Sequence, residues 1–412
     1  MICGLIGEKL SHSYSKQIHN RIASYDYSLY SLAPDALAAF LRGNYRGLNV
    51  TIPYKKAVIP FCDTLSETAR AIGSVNTLVR GEDGRLHGYN TDSAGFLYLA
   101  ARAGISFAGK KVLILGTGGT ALTAGYSVRR AGARETVTVS RSGPVHYGNV
   151  YEQAGDCEII VNTTPCGMYP ENGGSLLELS RFPDCCGVLD VIYNPLRTRL
   201  ILDAQRLGIP CSGGLPMLVA QAVEAARLFT EEAIPEEATE TVLRELLSET
   251  ENVVLIGMPG SGKTVIGQAV ADLLGRELLD TDTAVSDAAG MPIPKIFERF
   301  GEAEFRRLER EACAAYGKLS GKVISTGGGA VLFPENVAAL RQNGRIYLLE
   351  RELSRLATDG RPLSKGGAAL KSLAKERLPF YRAASDKTIC NNASVSAAAL
   401  AIKEDFYETA RH

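Results

Sequence analysis

The sequence predicts an α/β protein built on parallel sheets. Three observations carry that prediction. Short apolar runs alternate with helical patterns through most of the chain, the pattern of strand–helix–strand units. One such run, Lys111–Leu115, ends in Gly116-Thr117-Gly118-Gly119-Thr120-Ala121. Another, Asn252–Ile256, ends in Gly257-Met258-Pro259-Gly260-Ser261-Gly262-Lys263-Thr264. A glycine-rich turn between a strand and a helix lets backbone approach a phosphate, so this one chain offers two nucleotide-binding turns.

Taken in order, residues 3–7 read as a first strand, 16–23 as a helix and 47–52 as a strand. They belong to an N-terminal α/β block over residues 1–100. A second block, 101–230, opens with the strand at 111–115, the glycine turn and a helix over 121–131. Strands at 136–140 and 158–162 follow, as a dinucleotide-binding Rossmann domain requires. Residues 231–251 are acidic, with Glu231, Glu232, Glu236, Glu237, Glu240, Glu245 and Glu249. Charge alone suggests a tether. Val242, Leu243, Leu246 and Leu247 nonetheless stand at helical spacing, so a docked helix is expected, with a linker of only a few residues at 248–251. The third block, 252–412, begins with a strand and the second glycine turn.

Composition limits the function. Lys plus Arg (45) equals Asp plus Glu (45), so no global field favours nucleic acid or membrane. No run of apolar residues is long enough to span a bilayer. The N-terminus lacks the basic region and apolar core of a signal peptide. Nine cysteines, an odd number without any Cys-x-x-Cys, point to a reducing cytoplasm rather than to disulfides or a metal cluster.

In the first turn, Gly116, Gly118, Gly119, Thr120 and Ala121 are the candidate dinucleotide contacts. The following strand ends at Ser140-Arg141-Ser142, where an NAD enzyme places a carboxylate for the ribose hydroxyl. Ser140 and Arg141 suit a 2′-phosphate, so NADPH/NADP+ is the expected cofactor; a solvated surface arginine is the plainer alternative. In the second turn, backbone at Gly257, Gly260, Ser261 and Gly262 would cradle the phosphates of ATP. Lys263 would reach their outer oxygens and Thr264 would ligate Mg²⁺. Asp280-Thr281-Asp282 is expected to place two carboxylates on one face of a strand end.

Further motifs surround both turns. The first half contains Gly7-Glu8-Lys9-Leu10-Ser11-His12-Ser13-Tyr14-Ser15, Ile18-His19-Asn20, Asn49-Val50-Thr51-Ile52-Pro53-Tyr54-Lys55, Ser74-Val75-Asn76-Thr77 and Asn90-Thr91-Asp92. Gly213-Gly214-Leu215-Pro216-Met217-Leu218-Val219-Ala220-Gln221 closes the set. In this order they resemble shikimate dehydrogenase over residues 1–247, which implies a substrate-binding domain over 1–100 with helices in 214–247 packing back on it. The resemblance implies reduction of 3-dehydroshikimate, with Lys55 protonating the ketone oxygen and Asp92 orienting it. It implies that Ser13 and Ser15, two apart on an extended segment, hold the substrate carboxylate. Thr51, Asn76, Tyr193 and Gln221 would complete the pocket, and Gly214 and Met217 would meet the cofactor. Each of these residues taken singly also fits a cap, a core polar group or a solvated side chain. The chain departs from the family pattern at Lys16, where Pro is usual, and in a short stretch between Asn20 and Gly47.

The second half carries Ile296–Glu302, Phe305-Arg306, Glu309, Gly327-Gly328-Gly329, Arg361-Pro362-Leu363 and Arg377-Leu378-Pro379-Phe380-Tyr381. With its P-loop it is similar to shikimate kinase over residues 252–410, a P-loop fold of the nucleoside-monophosphate-kinase kind. That resemblance implies Asp282 as acceptor of the substrate hydroxyl proton, Asp280 in the Mg²⁺ shell, and Arg306 and Arg377 on the substrate carboxylate. Glu309, one turn from Arg306, should fix its rotamer. Gly328 would let backbone approach the substrate, and Arg361 in a shortened lid would neutralise the transferring phosphoryl group. The expectation is thus a cytoplasmic, bifunctional enzyme of the shikimate pathway acting on small molecules, not nucleic acid or membranes, with oligomeric state open. The alternatives are an NAD-preferring quinate/shikimate dehydrogenase fused to a kinase, and a scaffold with one inactive half.

Overall fold

The computed structural model describes residues 2–10, 13–230, 232–356 and 367–409. The chain divides into two compact units, Met1–Leu243 and Arg244–His412. The first holds two sheets and the second holds one.

The first sheet comprises β1 (Ile2–Gly7), β2 (Asp26–Ser31), β3 (Gly47–Val50), β4 (Thr64–Leu65), β5 (Thr77–Arg80) and β6 (Leu86–Tyr89), in the order β2-β1-β3-β5-β6-β4. Helices α1 (Ser15–Ile22), α2 (Leu37–Phe40), α3 (Glu67–Ile72) and α4 (Asp92–Arg102) alternate with them. The expectation of parallel sheets fails here, because β5 runs antiparallel to both β3 and β6. Gly81-Glu82-Asp83-Gly84 turns the chain straight back, with Gly84 at φ 77° and its N–H on the Gly81 carbonyl. So short a connection permits only antiparallel pairing. The α-helix in the short stretch between Asn20 and Gly47 that follows β2, α2, is a single turn.

The second sheet is wholly parallel. Its strands are β7 (Lys111–Leu115), β8 (Glu135–Val139), β9 (Ile159–Asn162), β10 (Gly187–Asp190) and β11 (Cys211–Ser212), in the order β8-β7-β9-β10-β11. Helices α5 (Gly119–Arg130), α6 (Val150–Ala154) and α7 (Arg199–Arg206) flank it, whereas α8 (Leu215–Phe229) packs on α4 and α1 and against β3 and β5 of the first sheet. Both faces of β7 are buried. Val112 and Ile114 join Phe96, Leu99, Ala121 and Val128 on one side, while Leu113 and Leu115 join Val150, Ala154, Leu200 and Ile201 on the other. That explains why β7 reads as a continuous apolar run rather than an alternating one. The glycine turn leaves β7 between β8 and β9, where the strand order reverses and such sheets bind ligands.

The acidic segment is helical over α9 (Ala238–Thr250), with Val242, Leu243 and Leu246 buried. The division between the units falls inside this helix, and Glu251 alone separates α9 from the next strand. The third sheet, β12 (Asn252–Ile256), β13 (Leu278–Asp280), β14 (Val323–Ser325), β15 (Gly344–Glu350) and β16 (Lys387–Cys390), is parallel in the order β13-β14-β12-β15-β16. Around it stand α10 (Lys263–Leu274), α11 (Thr281–Ala289), α12 (Ile293–Gly317), α13 (Pro334–Arg341), α14 (Gly367–Ala384) and α15 (Val395–Thr409). The central strand β12 is again buried on both faces: Val254 and Ile256 meet Ile346 and Tyr381, and Val253 and Leu255 meet Ile266, Val270 and Phe406. Replacing Leu255 or Ile256 by Ala would cost about 2–5 kcal/mol, from the lost transfer free energy and the cavity left behind.

Candidate active sites

The first site is a cavity of about 480 Å³ lined by Ser13, Ser15, Thr51, Lys55, Asn76, Asp92, Thr120, Tyr193, Gly214, Met217 and Gln221. Lys55 and Asp92 form an ion pair at 2.5 Å, with side chains 19% and 11% exposed. Asp92 opens α4, where a carboxylate is favoured by the helix dipole. Further along α4, Gly95 lies against α8: a Cβ there would stand 2.6 Å from the Met217 carbonyl oxygen. This close approach brings Asp92 on one helix and Met217 and Gln221 on the other to a common cavity.

The serine pair behaves differently from expectation in its backbone. Tyr14 between them is helical (φ −78°, ψ −5°) and Ser15 already begins α1, so the segment is a turn and not an extended strand. Their hydroxyls converge nonetheless, at 3.0 Å, because Ser13 Oγ also accepts from the Ser15 N–H. Behind the cavity runs a buried amide network. Asn76 donates to Thr91 Oγ1 (3.0 Å) and to Gln221 Oε1 (3.4 Å), and its Oδ1 accepts from the Thr91 N–H (2.7 Å). Asn49 joins through Thr77 (3.3 Å) and accepts from Tyr27 (2.8 Å). Asn49 and Lys9 also line the cavity and were not singled out from sequence, although both stood inside quoted motifs.

The adjoining glycine turn fits a dinucleotide. Gly116 adopts φ 108°, which favours glycine, and a Cβ there would meet Thr163 Oγ1 and Thr164 Cγ2 at 3.0 Å. At Gly118, which caps α5, a Cβ would meet nothing within 4 Å, leaving the helix N-terminus open to an anion. The Ala121 side chain is buried in the core with Val112 and Ile114, where a small residue lets helix approach sheet. Of the turn, Thr120 lines the cavity. Ser140 and Arg141 follow β8 apart from the cavity. Arg141 is exposed and forms no ion pair among the described residues.

The second site gathers around the P-loop. Gly257, Gly260 and Gly262 have φ of 149°, 85° and 93°, conformations that other residues rarely adopt. Lys263 is 9% exposed, and its ammonium donates to the Gly257 (2.9 Å) and Met258 (3.1 Å) carbonyls. Ser261 Oγ is buried without a partner, and the Ser261 carbonyl accepts from Asn391 (2.6 Å), a support no sequence motif announced. A loop of left-handed glycines with a spare buried hydroxyl suits a polyphosphate. Thr264 Oγ1 donates to Asp280 Oδ2 at 3.0 Å, a hard-oxygen pair of the kind that holds Mg²⁺ together with water and phosphate. Among the described residues there is no group of three or more His, Cys, Asp or Glu that could hold a metal ion.

The two aspartates do not share a strand face. β13 stops at Asp280, whose Oδ1 caps α11 by accepting from the Asp282 N–H (2.9 Å). A side-chain acceptor at that point starts a helix, which rotates Asp282 away from Asp280. Asp282 instead faces the triple glycine. A Cβ on Gly327 would stand 2.6 Å from Asp282 Oδ1 and 2.9 Å from Glu309 Oε1; on Gly328, 2.8 Å from Pro259 Cγ; on Gly329, 2.3 Å from Arg306 Nη1. Each glycine therefore makes room for a different neighbour.

Arg306 is buried and pairs with Glu309 (2.8 Å) and Glu302 (3.0 Å), the former as its spacing predicts. Burial pushes the Glu309 carboxyl up against the opposing pull of Arg306. Arg377 and Tyr381 both donate to the Gly328 carbonyl, at 3.0 and 2.5 Å, and so fix this turn. Arg361 lies outside the described residues.

Comparison with known proteins follows the same division. A family model described as the shikimate dehydrogenase substrate binding domain matches residues 5–78, and one described as shikimate kinase matches residues 259–407. Shikimate dehydrogenase (NADP(+)) of Moorella thermoacetica is 32% identical over 64% of this chain and 97% of its own length. That of Caldicellulosiruptor bescii is 36% identical over 62% and 96%. Among solved structures, a chorismate mutase/shikimate 5-dehydrogenase fusion protein from Clostridium acetobutylicum matches with a TM-score of 0.56 at 31% identity, covering 60% of this chain and 96% of that one. Shikimate 5-dehydrogenase of Thermus thermophilus in complex with NADP(H) and shikimate matches at 0.54 and 30%, covering 60% and 99%. Quinate dehydrogenase from Corynebacterium glutamicum in complex with NAD matches at 0.54 and 27%, covering 59% and 98%.

Proposed function

Because the chain belongs to the shikimate dehydrogenase family and carries a shikimate kinase domain after it in sequence, we propose that it catalyses two consecutive reactions. The first reduces 3-dehydroshikimate to shikimate with NADPH. The second phosphorylates the shikimate 3-hydroxyl with MgATP, the same hydroxyl that the first step creates from the ketone. The observation that carries this reading is the cavity in which the Lys55–Asp92 pair, the two serines and Thr120 of the glycine turn face one space.

At the first site NADPH supplies the hydride when bound. The Lys55 ammonium gives its proton to the ketone oxygen as charge develops there, and Asp92 holds the lysine in place. Ser13 and Ser15 offer two convergent hydroxyls to the carboxylate. Thr51, Asn76, Tyr193 and Gln221 position the ring hydroxyls, and Arg141 takes the 2′-phosphate. At the second site MgATP supplies the phosphoryl group. Asp282 accepts the hydroxyl proton, while Arg306 and Arg377 hold the carboxylate. Lys263 and the loop amides stabilise the phosphates, and Thr264 and Asp280 hold the ion.

One coupled assay tests the whole reading. Given 3-dehydroshikimate, NADPH and MgATP, the protein should form shikimate 3-phosphate, and shikimate alone when MgATP is withheld. Absence of NADPH oxidation, or of a phosphoester on added shikimate, would refute the corresponding half. The likeness to quinate dehydrogenase favours a second reading, NAD-linked oxidation of quinate or shikimate. Ser140 and Arg141, with no carboxylate at that strand end, speak for NADP, and kcat/KM with each dinucleotide decides.

A further inference from the structure

Asp190 ends β10 with no exposed surface, and none of the roles above uses it. A buried carboxylate is costly, and burial pushes its carboxyl up to about 6. Its oxygens are filled by three donors from three segments. Asn162 Nδ2, at the end of β9, donates at 3.1 Å. The Ile192 N–H donates at 3.0 Å and Thr198 Oγ1, the cap of α7, at 2.6 Å.

Each donor leads to a wall of the dehydrogenase site. Asn162 Oδ1 accepts from the Thr164 N–H (3.0 Å) and hydroxyl (2.8 Å), which shapes the turn after β9. Thr163 and Thr164 of that turn are the atoms that crowd Gly116 in the dinucleotide turn. On the other side, the Ile192 carbonyl accepts from the Gly214 N–H (2.8 Å), and the Val191 carbonyl oxygen would lie 2.1 Å from a Gly214 Cβ. Val191, Tyr193 and Gly214 line the substrate cavity.

We propose that Asp190 is a positioning residue that sets, from one buried carboxylate, the spacing between the dinucleotide turn and the substrate cavity. This rests on the dehydrogenase reading. Hydride transfer needs its two partners held within a few tenths of an ångström, so both walls must be fixed relative to each other. A charged acceptor does this better than a neutral one, because its hydrogen bonds are shorter and stronger.

Asp190→Asn keeps the shape and removes the charge. In the full chain it should lower the kcat of reduction roughly 10- to 100-fold, as misplacement by an ångström does. The dissociation constant for NADP+ measured by calorimetry should rise several-fold. Phosphorylation of added shikimate should be unchanged, and the far-ultraviolet circular dichroism and the urea midpoint of the first unit should match the parent, showing that both units are folded. Thr198→Val should do the same in milder form, and Thr198→Ser, which keeps the hydroxyl, should restore the kcat. Unchanged kcat and NADP+ affinity in Asp190→Asn overturn the proposal. If that variant does not fold, equal kcat in the Val and Ser variants overturns it instead. Should the parent chain not reduce 3-dehydroshikimate, the dehydrogenase reading falls, while calorimetry still reports whether Asp190 shapes the dinucleotide turn.

Discussion

The two halves are proposed to grip one carboxylate in opposite ways. The first offers neutral hydroxyls, Ser13 and Ser15, backed by an amide network that spans β3, β5, α4 and α8. The second offers guanidiniums, Arg306 and Arg377, one of them already neutralised by Glu302 and Glu309. The first grip is held locally, by Ser13 and Ser15 on each other, in a cavity whose other polar groups are joined by neutral bonds among distant segments. The second is held by a few charged bonds and by the space three glycines leave. A neutral network fails gradually when one member is lost, whereas removing one partner of a buried charged pair leaves the other uncompensated.

The largest effect should come from the reacting group itself. Lys55→Ala should cut reduction by about 100-fold or more, with kinase turnover on added shikimate nearly unchanged. Near-normal reduction would remove Lys55 from the chemistry. Next comes the charged grip. Arg306→Ala should cost phosphorylation roughly 1.5–3 kcal/mol, and shikimate should accumulate when both cofactors are supplied. Loss of both activities in the folded variant would mean that the grips are not independent. Ser13→Ala with Ser15→Ala is the converse change and should slow reduction alone, by less than the arginine change slows phosphorylation.

A smaller effect is expected at the cofactor. Arg141→Ala should raise KM for NADPH by about ten-fold, the worth of a charge-assisted bond, and leave KM for NADH little changed. Equal effects on both would show that Arg141 does not read the phosphate.

The smallest effect near neutral pH concerns His19, which stacks on Tyr27 behind Asn49. Burial pushes its imidazole down from 6.5 to about 3. Between those values the unfolded chain takes up a proton that the folded chain refuses. Stability of the first unit should therefore fall with falling pH across that window, by up to about 1.4 kcal/mol per pH unit. Urea titrations followed by dehydrogenase activity should show this slope, and His19→Gln should flatten it. A slope that persists unchanged would assign the acid sensitivity to other groups.

Much of this was legible in the sequence because it is local. The P-loop glycines sit at left-handed positions that only the order Gly-x-x-Gly-x-Gly announces, and β12 begins and ends where its apolar run does. Arg306 meets Glu309 because residues three apart on a helix are neighbours. Other features escaped because competing local signals decided them. A capping aspartate turned a presumed strand end into α11, and one helical residue bent a presumed extended serine segment.

What the sequence determined by itself, then, is the period of the elements, the places where glycine is obligatory for φ, and the order of the motifs. These follow from the covalent chain and its nearest neighbours. Tertiary structure alone decided why Gly327, Gly328 and Gly329 must each lack a Cβ, since Asp282, Pro259 and Arg306 arrive from three remote segments. It alone decided that β5 lies beside β3, and that Asp190 collects donors from β9, the segment after β10, and the cap of α7. Such contacts depend on which buried polar groups must find partners once the sheets have formed, and that requirement has no signature along the chain.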